Sequence, residues 1–404
     1  MKRILSILLL VLCMYAVVDA SNHKVCSKDD IKITFEIDIL GQIILTDVRL
    51  NGSQKKFRFI LDTGSTNCFI KKRVLADLGL KATEVSSVSD GFANWEVYFT
   101  TVDFTINSVS FDNVKVNIEE SASFIDCNID GIIGANLMKT CIWSFVNGEI
   151  KLRKKLKSKE IIGYYKQPMK FIQGVPYILG NFDNYSADML FDLGFNGDLS
   201  IGVSSLSSFK SDQKVIGKGN NGFVSSGVLS RDSIIKIKTH CFHLGKVKKQ
   251  FFGGGLKKQN TEQMLVNPVI AVEHADAPYS RSLGAGMLEY YNFIIDFPKK
   301  NFYSKLINKE YIDQGSFGIV IMPDLEQKFV VAAVWDIAKD IGIQRGSIVE
   351  KINELYLVGQ DMDWCELNQR VYEELNKNNE IRITINNGRR RETFNLVRRS
   401  LFIK

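Results

Sequence analysis

Apolar and polar residues alternate with a period of two along most of the first 300 positions. Ile31-Lys32-Ile33-Thr34-Phe35-Glu36-Ile37 sets isoleucine and phenylalanine on one side and lysine, threonine and glutamate on the other. Phe57-Arg58-Phe59-Ile60-Leu61, Phe104-Thr105-Ile106 and Val114-Lys115-Val116-Asn117-Ile118 repeat the pattern. Successive side chains of a strand point to opposite faces, so these runs predict half-buried strands. Asn, Gly and Asp turns interrupt them at short intervals, and no long amphipathic helix precedes residue 330. The expected class is mainly all-β. Beyond Tyr303 the pattern changes, and residues 306–404 predict a small α+β unit. It opens with Gly315-Ser316-Phe317-Gly318-Ile319-Val320, followed by a strand over Phe329–Val334. Asp336 is placed to cap a short helix ending at Gly342. A strand and turn over Ile348–Asn353 come next, then a helix with Leu367, Val371 and Leu375 on one face. Ile381, Ile383 and Ile385 alternate before an Asn386-Asn387-Gly388 hairpin turn.

An internal repeat lies over this pattern. Asp62 closes the strand Phe57–Leu61 and is followed at a distance by Gly131-Ile132-Ile133-Gly134-Ala135-Asn136-Leu137-Met138. Asp192 is followed in the same way by Leu283-Gly284-Ala285-Gly286-Met287-Leu288. Each segment leads into an aromatic-apolar strand and a charged hairpin, Trp143–Glu149 in one half and Phe293–Lys299 in the other. The second interval is longer, and its extra residues are expected around Phe251–Leu256, read as a surface loop. That glycine run lacks the Gly-Lys-Ser/Thr ending of a phosphate loop. The boundaries expected are 1–20 for a leader, 21–160 and 161–305 for the two halves, and 306–404 for the last unit.

Composition narrows the picture. Lys2-Arg3, the apolar run Ile4–Leu12 and Val18-Asp19-Ala20 read as an export signal, too short to span a bilayer. The expected location is therefore periplasmic or secreted, with no membrane span. Lipidation at Cys13 is disfavoured by Leu12, where a small residue is wanted. Removing Lys2, Arg3 and Asp19 takes the net charge from +7 to +6. Basic residues cluster at Lys151–Lys159 and at Arg389–Arg399, read as a linker and solvated faces. No nucleic-acid motif accompanies them. Cys26, Cys68, Cys127, Cys141, Cys241 and Cys365 lack the spacing of a disulfide-rich scaffold, and at most two bridges are expected. His240 and His243 fall on opposite faces of a strand, so no metal site is expected.

The chemistry sits at Asp62-Thr63-Gly64-Ser65-Thr66 and at Asp192-Leu193-Gly194. Two carboxylates held about 3 Å apart cannot both ionise, and the pair keeps one proton. Such a pair can activate a water and protonate a leaving nitrogen. Gly64 and Gly194 permit the tight turns that bring the aspartates together. Thr63 is placed to hydrogen-bond across the axis, and Ser65 to reach the outer oxygen of Asp62. Gly134 and Gly284 let strands pass close behind. On the second side, Leu193 and Phe195 stand where hydroxyl residues would serve, which predicts a raised Asp192 pKa and activity at mildly acidic to neutral pH. A hairpin over Val88–Trp95, with Gly91, Phe92 and Trp95, suits a flap over a cleft. Gly219–Phe223 is its counterpart.

Phe59–Asn67 and Ile129–Gly134 resemble the motifs of aspartic proteases of the pepsin/retropepsin superfamily. Residues 306–404 resemble a bacterial PDZ domain, with Ser316-Phe317-Gly318-Ile319 at the place of its carboxylate-binding loop. Ser347 and Glu354 depart from that pattern, standing for the usual Asp and Gly. The combination resembles exported bacterial aspartyl proteases with a C-terminal PDZ domain. The resemblance implies a bilobal fold and a monomeric endopeptidase with catalytic Asp62 and Asp192. It implies protein or peptide substrates, a peptide ligand on the PDZ domain, and no cofactor or metal. The alternative is a catalytically weak or inactive peptide-binding protein or adaptor, disabled through Leu193 and Phe195.

Overall fold

The computed structural model describes residues 30–402 apart from 83, 90–93, 120–127, 183–184, 209–212, 220–222, 225–226, 229–233, 246–249, 253–254, 258–263, 274–280 and 325. The expected leader 1–20 and the flap residues Gly91 and Phe92 lie outside the described residues. The first half contains β1 (Ile31–Ile33), β2 (Phe35–Ile37), β3 (Ile43–Leu50), β4 (Phe57–Leu61), β5 (Cys68–Lys71), α1 (Lys72–Asp77), β6 (Glu84–Ser89), β7 (Asn94–Ile106), β8 (Val109–Glu119), β9 (Gly131–Ile133), α2 (Ala135–Met138), β10 (Ile142–Val146) and β11 (Glu149–Arg153). Eight strands follow the order β2-β3-β4-β9-β5-β8-β7-β6, and an extra β3–β7 pairing curls the sheet onto itself. The period-two pattern builds its interior. In β4, Phe57, Phe59 and Leu61 are buried while Arg58 faces outward, and the Phe59 ring meets Phe104 edge-on at 5.5 Å.

The second half contains β12 (Tyr165–Pro168), β13 (Lys170–Ile172), β14 (Val175–Phe182), β15 (Ser186–Asp192), β16 (Ser200–Gly202), β17 (Gln213–Gly219), β18 (Phe223–Val224), β19 (Gly227–Val228), β20 (Ile234–Lys238), β21 (Cys241–Leu244), β22 (Gln250–Phe252), β23 (Gly255–Lys257), β24 (Leu265–Val266), β25 (Val269–Glu273), β26 (Ser282–Gly284), β27 (Tyr291–Asp296) and β28 (Asn301–Leu306). Its pairings repeat those of the first half. β15 runs parallel to β26 as β4 does to β9, and β16 parallel to β25 as β5 does to β8. Each half then gives three strands to a shared sheet, β1-β11-β10-β27-β28-β12, with Phe145 opposite Phe293 at its centre. Fully buried Phe191 packs at 5.3 Å from Phe293 and 5.0 Å from Phe302, so the second half's core rests directly on this sheet. The expectation of two related, mainly β lobes holds.

The last unit comprises β29 (Ile319–Pro323), β30 (Phe329–Trp335), α3 (Asp336–Lys339), β31 (Ile348–Ile352), β32 (Leu355–Tyr356), α4 (Trp364–Lys377), β33 (Glu380–Asn386) and β34 (Arg391–Val397). It has its own core of Phe329, Val331, Val349, Leu367, Val371, Ile381 and Ile383, among others. Asp363 caps α4 by accepting from the Cys365 and Glu366 amides. The unit is nevertheless joined to the second half. The end of β17 pairs with β30, Gly217 opposite Trp335 and Gly219 opposite Ala333, so one sheet runs through both. An unpaired strand edge is a template for another strand. In the first half the equivalent edge belongs to β6, which ends its sheet.

Several local expectations change. The segment read as a loop contains two paired strands, β22 and β23, with Phe251 opposite Leu256. The Lys151–Lys159 segment is not simply a solvated linker. Lys151 and Arg153 belong to β11, and Arg153 is buried, paired with Glu160 at 2.9 Å and Asp30 at 3.4 Å. Asp336 begins its helix instead of preceding it. Cys141 and Cys365 are each in a disulfide, and Cys68 and Cys241 are not. Among the described residues no helix is long and apolar enough to cross a membrane.

Candidate active site

The parallel strand pairs set the site. β4 and β15 each end on the hydrogen-bonded side of a short parallel partner, and the chain must turn away just where the aspartate stands. The Asp62 amide donates to Ile133 O at 3.0 Å, while Asp192 sits level with Gly284. The turns bring the two carboxyl groups close together, each against the other's glycine, where they interact directly. The glycines are required by this approach. A Cβ on Gly64 would lie 2.6 Å from the Asp192 carboxyl carbon, and one on Gly194 closer still to that of Asp62. Each carboxylate is also held by its own turn. Asp62 Oδ1 accepts from the Gly64 and Ser65 amides at 2.7 and 3.0 Å, and Asp192 Oδ1 from the Gly194 and Phe195 amides at 2.9 and 3.2 Å.

The two sides differ in their hydroxyls. Buried Thr63 donates through Oγ1 to Phe191 O at 2.6 Å and accepts from the Leu193 amide at 2.9 Å. Leu193 is equally buried and offers no hydroxyl in return. Ser65 departs from its expected role. Its hydroxyl donates to Asn67 O at 2.7 Å, and a hydroxyl has one proton to give, so what Ser65 offers Asp62 is its amide alone. The Phe195 ring folds back over Gly197 and Gly284, where added Cβ atoms would collide with it.

Gly134 and Gly284 sit where loop carbonyls crowd the strand ends. A Cβ would strike Asn67 O at the first and Gly197 O at the second. Behind each loop the halves use different anchors, which the sequence reading missed. In Gly134-Ala135-Asn136, the Asn136 side chain accepts from the Cys68 amide at 2.9 Å and donates to Lys115 O at 2.8 Å. In Gly284-Ala285-Gly286 that side chain is absent, and the Asp198 carboxylate fills the space a Gly286 Cβ would need. The Asn136/Gly286 mismatch within the repeat was the available signal.

Burial raises the Asp62 carboxyl well above the ordinary carboxylate range, and the charge of Asp192 adds to the effect. Burial likewise raises Asp192, opposed by its hydrogen bonds to Asp62 and to the Phe195 and Gly194 amides. The pair therefore holds its shared proton to higher pH than two free carboxyls would. Burial is the largest cause of both shifts. Among the described residues no group of three or more His, Cys, Asp or Glu is placed to hold a metal ion.

The hairpin expected as a flap is formed by β6 and β7, and the Trp95 backbone pairs with Val88. Its counterpart region leads out of β17, whose end pairs with β30. Ser316, Phe317, Gly318 and Ile319 belong to the last unit. Ser316 pairs with Arg399, its Oγ accepts from the Gly318 amide at 3.0 Å, and the Arg398 guanidinium lies 4.7 Å from the Phe317 ring centre.

Residues 46–137, which include Asp62, Gly64 and Gly134, match the family model described as aspartyl protease. Among solved structures the chain is similar to the aspartic proteinase from Irpex lacteus, at 13% identity and a TM-score of 0.45, over 70% of this chain and 98% of that one. No curated protein matches the chain.

Proposed function

We propose that the chain is an aspartic endopeptidase, with Asp62 and Asp192 as its catalytic pair. The observation that carries this reading is the mutual approach of two half-buried carboxyls, each against the other's glycine, with desolvation raising both. A water held between them loses a proton to the ionised carboxylate and attacks the scissile carbonyl. The protonated carboxyl donates to the developing oxyanion, and a proton then passes to the leaving nitrogen. Substrate lies extended between the lobes, adding its backbone to the β6–β7 hairpin. The lobes comprise residues 21–160 and 161–305, in an exported, monomeric protein. The unit 306–404 is read as a PDZ domain binding a peptide segment or terminus through Ser316–Ile319.

The test is cleavage of denatured casein and a peptide library between pH 3 and 8, with and without pepstatin. Asp62→Ala and Asp192→Asn are assayed alongside. Cleavage by the parent chain that is lost in both variants supports the reading. No cleavage at any pH, with peptide still bound, moves the assignment to a peptide-binding adaptor.

A further inference from the structure

Asp198 lies on the loop that follows Asp192, and its surroundings tie that loop to the start of the last unit. Its backbone carbonyl accepts from the Gly284 amide at 2.9 Å, beside the Ala285 amide bond to Phe195 O at 2.8 Å. In its side chain, Oδ1 lies against Gly286 and Oδ2 accepts from the Tyr311 hydroxyl at 2.5 Å. Tyr311 is itself fixed. Its ring stacks on Tyr290 at 5.2 Å, and its amide donates to Val266 O at 3.1 Å. The next residue's amide donates to the Tyr290 hydroxyl at 3.3 Å. Lys236 and Glu289 act on Asp198 electrostatically, and Lys236 also faces Asp313 and the Trp335 ring. A carboxylate removed from water needs donors, or it disrupts what surrounds it. The first lobe anchors its loop internally, with Asn136 accepting from the Cys68 amide and donating to Lys115 O, whereas Asp198 of the second draws its donor from residue 311.

We infer that Tyr311 is a positioning residue for the second catalytic loop, holding Asp192 in register by fixing Asp198. The second lobe is then complete only with the segment that leads into the last unit. The kinetic part of this inference rests on the peptidase reading above, and the loop-ordering part does not.

Tyr311→Phe in the full chain keeps the stacked ring and removes only the hydroxyl. Hydrogen exchange by mass spectrometry should quicken over 193–199 and 284–286, with α4 unchanged. Against a peptide substrate, kcat should fall about 10-fold with KM within about 2-fold, as expected when a reacting group is displaced without loss of binding contacts. Asp198→Asn keeps an acceptor for the tyrosine and should stay near the parent on both readouts. In an Asp198→Ala background, Tyr311→Phe should add nothing. Unchanged loop exchange in Tyr311→Phe overturns the inference, as does an equal effect of that substitution in the Asp198→Ala background. If the parent chain cleaves nothing, the peptidase reading falls, and the exchange data alone decide this one.

Discussion

Thr63→Val keeps the shape of a fully buried side chain and deletes one oxygen. That oxygen serves Phe191 O at 2.6 Å and the Leu193 amide at 2.9 Å. A symmetric pair of threonines would leave a second set of bonds in place, but Leu193 supplies none. The substitution therefore strips the threonine-type bonds from both sides of the axis. Each buried group left unpaired costs about 1–3 kcal/mol, and two such groups together cost roughly 2–4 kcal/mol after local relaxation. For lobes of this size that is a fall of roughly 5–10 °C in the melting transition. A displacement approaching 1 Å between the carboxyls costs up to about 100-fold in rate, so kcat should fall 10- to 100-fold. Differential scanning calorimetry and steady-state cleavage read the two effects. The companion Thr63→Val/Leu193→Thr moves the hydroxyl to the other side of the axis and should recover part of both losses. A Thr63→Val protein with the parent's melting temperature and kcat would refute the argument that one threonine holds the pair together.

Other outcomes follow from the same geometry. The raised pair should give a pH–rate optimum in the mildly acidic to neutral range, and an optimum near pH 2–3 would contradict the directions found for Asp62 and Asp192. A folded-state pKa above the unfolded value means that the pair's contribution to stability is intact below about pH 4 and is lost as pH rises through its raised range. Asp192→Asn should therefore melt higher than the parent at pH 7 but not at pH 3, and a pH-independent difference counts against this. Gly194→Ala places a methyl against the Asp62 carboxyl, so cleavage should drop more than about 100-fold. In Gly217→Val, added bulk meets the Trp335 ring, whose atoms lie 2.9–3.1 Å from a Cβ there. Tryptophan emission should shift to the red as β17 leaves β30, and an unshifted spectrum would show that the junction tolerates the change.

Much of the site was legible because its requirements are local. Asp62 and Asp192 each end an apolar strand, and Gly64, Gly194, Gly134 and Gly284 mark places where only a missing Cβ fits. The asymmetry at Leu193 was equally visible, since one hydroxyl has no substitute. What stayed hidden depends on long-range choices among alternatives the chain offers equally. The Ser65 hydroxyl had two acceptors within reach and took Asn67 O. Arg153 sat in a basic run that reads as solvated, yet it is buried because Asp30 and Glu160 converge on it. The pairing of β17 with β30 carries no signature at all, because backbone hydrogen bonds between distant strands leave no residue pattern.

The two lobes solve the same problem with different parts, and the differences fall on one side. The first lobe closes its aspartate loop with Asn136, aligns it with Thr63 and leaves β6 as an edge. The second has Gly286, Leu193 and a β17 edge covered by β30, and its loop carboxylate takes a donor from Tyr311. Each internal anchor absent from the second lobe is met by something outside it. Thr63 comes across the axis, and Tyr311 and β30 come from beyond residue 305. A lobe built this way is sensitive to the position of the last unit, since one continuous sheet and the hydrogen bonds around Tyr311 connect them. Movement of that unit would act on the Asp198 anchor and on β17 together, through contacts that the first lobe does not share.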